Sequence, residues 1–264
     1  MTRIAVLGGG VMGEALIAGL LQFDPQPSIT VVEKLAARAQ ELTDRYSIQS
    51  APARQAVSDA DVVIAVVKPQ DMREALSDIS DAVPQSALVI SIAAGITTAF
   101  ISSLLPQVSV VRAMPNTPAR IQRGVIGISA GVSCAPEQFE NAAVLLGSVG
   151  LVLEIPEEQQ DAITATSGSG PAYLFYLAEA MMRGAEESGL SADDARAAVV
   201  HTLLGSAELL AASSESPSTL RTNVTSPNGT TAAAIAVLNE QGVSDAIVKA
   251  MLAARDRSQE LASS

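Results

Sequence analysis

Short apolar runs separated by amphipathic segments organise the first half of this chain. Ile4-Ala5-Val6-Leu7, Ser28–Glu33, Asp61–Val67, Ala87–Ile92 and Val108–Arg112 are rich in Val and Ile and shorter than a buried helix. Such runs suit strands covered on both faces of a parallel sheet. Helical segments separate them: Ala15–Leu20, Leu35–Arg45, Asp71–Ala82 with Asp71 as N-cap, and Thr97–Leu104. Alternation at this spacing predicts right-handed βαβ units and a parallel sheet. Val125–Ser129, a helix opening at Pro136, and Leu151–Ile155 complete this half, with a boundary near Pro156.

From Asp161 the strand pattern stops. Pro171–Ser188 reads as one long helix, with Gly170 at the cap, Pro171 at the first position and an apolar face of Leu174, Leu177, Ala178, Met181 and Ala185. Ser191-Ala192-Asp193-Asp194 resembles a capping box and opens a helix reaching about Ala212. Ser216–Val224 is short and helical, Thr225–Gly229 a loop, and Thr230–Gln241 a helix. Ser244 is expected to cap a last helix ending near Leu261.

The first strand runs into Gly8-Gly9-Gly10-Val11-Met12-Gly13, a Gly-x-Gly-x-x-Gly loop opening a helix. Gly8 suits the tight turn, Gly10 lets the backbone approach a pyrophosphate, and Gly13 allows close helix–sheet packing. The pyrophosphate would rest on free N–H groups at the helix start. The expected fold class is an α/β Rossmann-type doubly wound sheet followed by an all-α domain. Residues 1–157 form the dinucleotide-binding domain and 158–264 the helical substrate and dimerisation domain.

Ligands of such sheets bind at the carboxyl ends of the strands. Those ends carry the glycine loop, Glu33-Lys34, Val67-Lys68-Pro69, Ala93-Ala94-Gly95 and Met114–Pro118. Glu33, twenty residues after Gly13, stands where an acid accepts from a ribose 2′-hydroxyl, which favours NADH. Lys34 beside it could instead pair with a 2′-phosphate, so the choice stays open. Lys68 is either a cofactor contact or a solvated strand end. Asn116 is either a cofactor contact or the anchor of a turn between two prolines.

Composition narrows the field. A net charge of −12, with no basic cluster, argues against nucleic-acid partners. Cys134 and His201 are single, so neither an internal disulfide nor a cysteine metal cluster can form, and most histidine metal sites are excluded. Apolar runs stop short of a membrane span, and Met1-Thr2-Arg3 enters a strand with no signal peptide, so a cytoplasmic protein is expected.

Five motifs follow in order: Val66-Val67-Lys68-Pro69, Ala93-Ala94-Gly95, Arg112-Ala113-Met114-Pro115-Asn116-Thr117-Pro118, Ser167-Gly168-Ser169-Gly170-Pro171-Ala172-Tyr173, and Val224 to Thr231. With them the chain resembles the pyrroline-5-carboxylate reductase family from about Ile4 to Glu260. The resemblance implies NAD(P)H-dependent reduction of 1-pyrroline-5-carboxylate to L-proline, the last step of proline biosynthesis. It also implies a helical domain interlocked with a second subunit, with the dimers often building decamers. The glycine loop, Val66 to Pro69, Ala93 to Gly95 and Asn223 would contact cofactor. Ser167, Gly168, Ser169, Gly170, Pro171, Thr225, Gly229, Thr230 and Thr231 would hold substrate, the latter loop being one that a partner subunit can donate. Two positions depart from the family pattern. Asn228-Gly229 replaces the usual Gly-Gly, and Ala53 replaces an Asn that meets the adenosine end.

The chemistry asks little of ionisable side chains. Hydride goes to a C=N carbon whose nitrogen can arrive protonated, so positioning and exclusion of water matter most. The substrate carboxylate needs a partner, and helix starts after Ser169-Gly170 and after Gly229 offer free amides. The Gly229–Thr231 end is the favoured one, with Thr231 Oγ as catalytic donor to, or orienter of, the ring nitrogen. Glu157 and Glu215 are lesser candidates for meeting the cationic nitrogen. His201 is read as a packing or surface residue and Cys134 as a small buried filler. Two rivals remain. A β-hydroxyacid dehydrogenase would use a lysine on the helix after the first domain, yet the lysines are Lys34, Lys68 and Lys249. A non-catalytic dinucleotide-binding scaffold would not need both second-domain motifs.

Overall fold

A computed structural model describes residues 1–262 and divides the chain into two compact units. One comprises residues 1–169 with the chain end from Ala254, the other Gly170–Ala253.

The first unit runs β1 (Arg3–Leu7), α1 (Val11–Leu20), β2 (Ser28–Val32), α2 (Ala36–Tyr46), β3 (Gln49–Ser50), α3 (Ala53–Val57) and β4 (Val62–Ala65). It continues through α4 (Met72–Ile79), β5 (Leu88–Ser91), α5 (Thr98–Leu104), β6 (Ser109–Met114), β7 (Gly124–Ala130), α6 (Pro136–Gly147), β8 (Gly150–Glu154) and α7 (Gln160–Ile163). The strands form one sheet in the order β3-β2-β1-β4-β5-β6-β7-β8. Successive side chains point to opposite faces, so Ile4 and Val6 join Leu16, Ile17 and Leu20 on one side, while Ala5 and Leu7 join Met72, Leu76 and Ile79 on the other. Both faces are dry, which is why the strand runs are continuously apolar.

Several expectations need correcting. The sheet is not wholly parallel, because β7 runs antiparallel to β6 and carries β8 parallel to itself. Residues 115–123 are too few for the crossover that a parallel return needs. β3 and α3 carry no apolar run and escaped the pattern reading; both β3 residues are exposed. Asp71 makes no side-chain cap: Pro69 opens a 3₁₀ turn over Pro69–Asp71, which delivers Asp71 in helical geometry. Thr97 does cap α5, its Oγ1 accepting from Phe100 N–H at 3.1 Å.

The second unit holds α8 (Gly170–Glu187), α9 (Ala192–Ala212), α10 (Pro217–Asn223), α11 (Thr230–Glu240) and most of α12 (Val243–Ala262). Ser191 caps α9 as expected, accepting from Asp194 N–H at 3.2 Å, and Ser216 caps α10 through Thr219 N–H. Ser244 is not a cap; α12 starts at Val243, after Gly242 turns the chain with φ +64°. Helices α8 and α9 pack together, yet no α8 residue is buried. Leu174, Phe175, Tyr176 and Leu177 are 47–77% exposed, and Leu204, Leu209, Val237, Leu238, Ile247 and Val248 join them. An apolar surface on this scale marks an interface.

Candidate active site

The glycines of the first loop have different duties. Gly8 has φ +113°, and a Cβ there would lie 2.9 Å from Val66 O; a Cβ on Gly13 would collide with the Gly8 carbonyl. Gly9 is hemmed in by Leu42 and Glu33. Gly10 differs: its φ is −67°, and a Cβ would meet nothing within 4 Å. Nothing inside the chain meets a Cβ at that position, so the backbone there is open to a ligand lying against it. Gly10 is also the N-cap of α1 and supplies no side-chain cap. The first-turn N–H groups and the positive end of the helix therefore face that opening. The residues fit a dinucleotide pyrophosphate.

The loop is held from behind. Glu33 Oε2 accepts from Gly9 N–H at 2.9 Å and Oε1 from Leu35 N–H at 3.0 Å. Arg38 Nε donates to Gly9 O at 2.9 Å, and its Nη atoms reach Glu41 and Glu14. That hydrogen bond from Arg38 holds the Glu14 carboxyl below its ordinary pKa, and the Arg38 guanidinium is raised in return, first by Glu14 and then by Glu41. Lys34 is solvated, 3.9 Å from Glu74.

Parallel pairing of β1 with β2 and β4, and of β4 with β5, brings the next loops to the same sheet edge. Gly8 touches Val66 across the β1–β4 junction, where the strand order reverses and such sheets open their ligand crevice. Val66 and Val67 are half-buried there, and Lys68 and Pro69 exposed. Ala93 and Gly95 are buried, Ala94 is half-buried, and Gly95 turns with φ +76°.

Asn116 has another occupation. Its Oδ1 accepts from Val125 N–H at 2.9 Å and its Nδ2 donates to Ser167 O at 3.1 Å, with the residue buried. A helical partner for the Ser167 carbonyl would come from residue 171, and Pro171 has no N–H; the Asn116 amide takes its place. Its side chain is thereby committed inside the fold. Ser167-Gly168 is not a loop before a fresh helix start. Thr164–Gly168 is a π turn continuing α7, and Ser169 N–H is spent on Thr164 O at 2.8 Å. The expected open helix N-terminus after Ser169-Gly170 is therefore absent. Ser167, Gly168, Ser169, Gly170 and Pro171 are half-buried, and their hydroxyls and the π turn, rather than capping amides, are what this motif offers.

The Thr225–Thr231 loop is built as expected. Asn228 takes the left-handed conformation, φ +57°, which Asn tolerates better than other side-chain-bearing residues. The departure from Gly-Gly thus leaves the backbone path intact. Gly229 donates to Ser226 O at 3.0 Å, and a Cβ on it would collide with Ser226 Oγ. Gly229 caps α11 with no side chain, leaving an open helix start at exposed Thr230 and half-buried Thr231. Thr225 Oγ1 donates to Arg221 O, and Asn223 Nδ2 to Glu215 Oε2 at 3.2 Å.

Glu157 serves structure rather than substrate: its carboxylate accepts from Thr98 N–H and Oγ1 at 2.8 and 2.6 Å and pairs with buried Arg112. Sequence reasoning missed this cluster, which Asp161 and Ser258 extend; an arginine inside an apolar strand run was its one signal. His201 is exposed on α9. Cys134 is half-buried against the core, and burial pushes its thiol up. Among the described residues, no group of three or more His, Cys, Asp or Glu could hold a metal, and no helix is long and apolar enough to cross a membrane.

A nucleotide-type sheet with an open Gly10 at its first helix start, together with a helical unit that has its own uncapped helix start, is the layout of a dinucleotide-binding enzyme. Comparison with known proteins narrows this. Residues 157–261 match the family described as pyrroline-5-carboxylate reductase dimerisation, and residues 3–95 that described as NADP oxidoreductase coenzyme F420-dependent. The chain is 42% identical to a pyrroline-5-carboxylate reductase of Corynebacterium melassecola over 99% of both proteins. It is 41% identical to that of Pseudomonas aeruginosa over 98% of this chain and 97% of the other. A solved pyrroline-5-carboxylate reductase from Coxiella burnetii superposes with a TM-score of 0.91 at 34% identity, covering 98% of each chain. The chain belongs to the pyrroline-5-carboxylate reductase family.

Proposed function

We propose that the chain catalyses the family's reaction, NAD(P)H-dependent reduction of 1-pyrroline-5-carboxylate to L-proline, through backbone amides and hydroxyls rather than a titrating acid. Family membership over the full length carries the reaction, and the open Gly10 carries the cofactor. Bound NAD(P)H supplies the hydride that reduces the C=N carbon. Val11, Met12 and Gly13 amides would grip its pyrophosphate, with Val66 to Pro69 and Ala93 to Gly95 at the same sheet edge available to the remainder; Asn223 of the helical part is proposed as a further cofactor contact. Ser167 to Pro171 and the Thr225–Thr231 loop, the latter donated by a partner subunit, would hold the substrate. The α11 start takes the carboxylate on its N–H groups, and Thr231 Oγ orients the ring nitrogen, which arrives as an iminium and needs no proton from the chain.

We place the functional boundary at 157/158, beside residue 157 where the dimerisation match starts, although the compact units divide only after Ser169. The chain forms homo-oligomers through its helical part. Dimers built on the exposed faces of α8 to α12 assemble further into decamers, and the enzyme works in the cytoplasm on a small imino acid, with neither membrane nor nucleic acid as partner. The net charge of −12 supports the last point. Adding pyrroline-5-carboxylate to the purified oligomer with NADH or NADPH should oxidise the nucleotide and yield proline. An absence of proline with both nucleotides would remove this reading.

A further inference from the structure

We infer that Glu33 makes this chain discriminate against a 2′-phosphate, so that NADH binds in preference to NADPH; the inference rests on the dinucleotide site described above. Glu33 follows β2 directly, where an acid in such a sheet accepts from the ribose 2′-hydroxyl. The carboxylate is not free to leave: Gly9 N–H and Leu35 N–H hold one oxygen each, at 2.9 and 3.0 Å. Each oxygen keeps a lone pair for a hydroxyl donor, whereas a phosphate brought to the same place meets a fixed like charge.

A 2′-phosphate site needs cations, and those nearby are committed. Arg38 spends Nε on Gly9 O, Nη1 on Glu41 and Nη2 on Glu14. Arg45 pairs with the same two acids. Turning Arg38 toward a phosphate would release the Gly9 carbonyl and cost Glu14 one of its two arginine partners. Lys34 is 82% exposed and leans toward Glu74, so its charge is heavily screened. The Gly9 peptide is thus gripped at its N–H by an acid and at its carbonyl by an arginine already paired with two acids. That arrangement fits a ribose diol and opposes a phosphorylated one.

The test is calorimetric titration of the full-length oligomer with NADH, NADPH, ADP-ribose and its 2′-phosphorylated form, alongside kcat/KM for the two dinucleotides. Ligands lacking the 2′-phosphate should bind about tenfold or more tightly. Glu33→Gln keeps an acceptor for Gly9 N–H, gives up the one for Leu35 N–H and removes the charge; it should bring the ratio toward one with only a small drop in unfolding temperature. Glu33→Ser, which leaves more room, should do the same. Equal or tighter binding of the phosphorylated ligands by the wild type would overturn the inference alone, as would an unchanged ratio in Glu33→Gln. Failure of all four ligands to bind would overturn it together with the dinucleotide site.

Discussion

At Gly10 the absence of a side chain has no internal cause. Its backbone is ordinary, and a Cβ would point into open space. Gly10→Ala should therefore leave thermal unfolding almost unchanged while weakening dinucleotide binding about tenfold or more, measured by titration. Gly13→Ala is the contrast, since its Cβ collides with the Gly8 backbone and stability should fall with affinity. Thr231 is the second residue on which function turns. Its hydroxyl stands in the first turn of an uncapped helix, and a hydrogen bond to a charged nitrogen is worth about 1.5–3 kcal/mol. Thr231→Ala should lower kcat/KM about 10- to 100-fold with the unfolding midpoint kept; Thr231→Ser should recover most of it. Unchanged kinetics in Thr231→Ala would remove the residue from the mechanism.

Among elements, the π turn at Thr164–Gly168 and the loop before α11 show how one polar side chain can hold a backbone path. Asn116 supplies the donor that Pro171 cannot and also fills Val125 N–H. Asn116→Ala strands two partly buried backbone groups, at about 1–3 kcal/mol, and denaturant unfolding should show this loss along with a raised substrate KM. At Asn228 the cost is conformational. Asn228→Ala should destabilise by about 1–2 kcal/mol because the left-handed region penalises Cβ, whereas Asn228→Gly should be neutral or better. If the two variants unfold alike, the turn is not what constrains this position.

For the whole molecule, the two units have opposite surfaces. The sheet unit buries its apolar residues on both faces. The helical unit leaves much of its Leu, Val and Ile exposed in one chain, so its stability depends on association. Its unfolding temperature should accordingly rise with protein concentration across the dissociation range, followed by calorimetry at several dilutions. A concentration-independent value at every dilution would mean that these faces are covered some other way.

The apolar strands of the sheet other than β3, the duties of Gly8 and Gly13, the starts of α9 and α10 and the helical character of the second half were legible in the sequence, because each rests on local periodicity, capping chemistry or glycine geometry within a few residues. The motifs from Val66 to Thr231 also carried the family. Other features depend on contacts between distant residues and were not legible. The reversal at β7, the Asn116 bridge to Ser167, the Arg112 cluster and the grip of Glu33 and Arg38 on Gly9 arise only when separate segments meet. The loss of the helix start at Gly170 has the same origin in part: a proline marks where a helix can begin, but whether the preceding turn already runs into it depends on which carbonyls and donors the rest of the fold brings alongside.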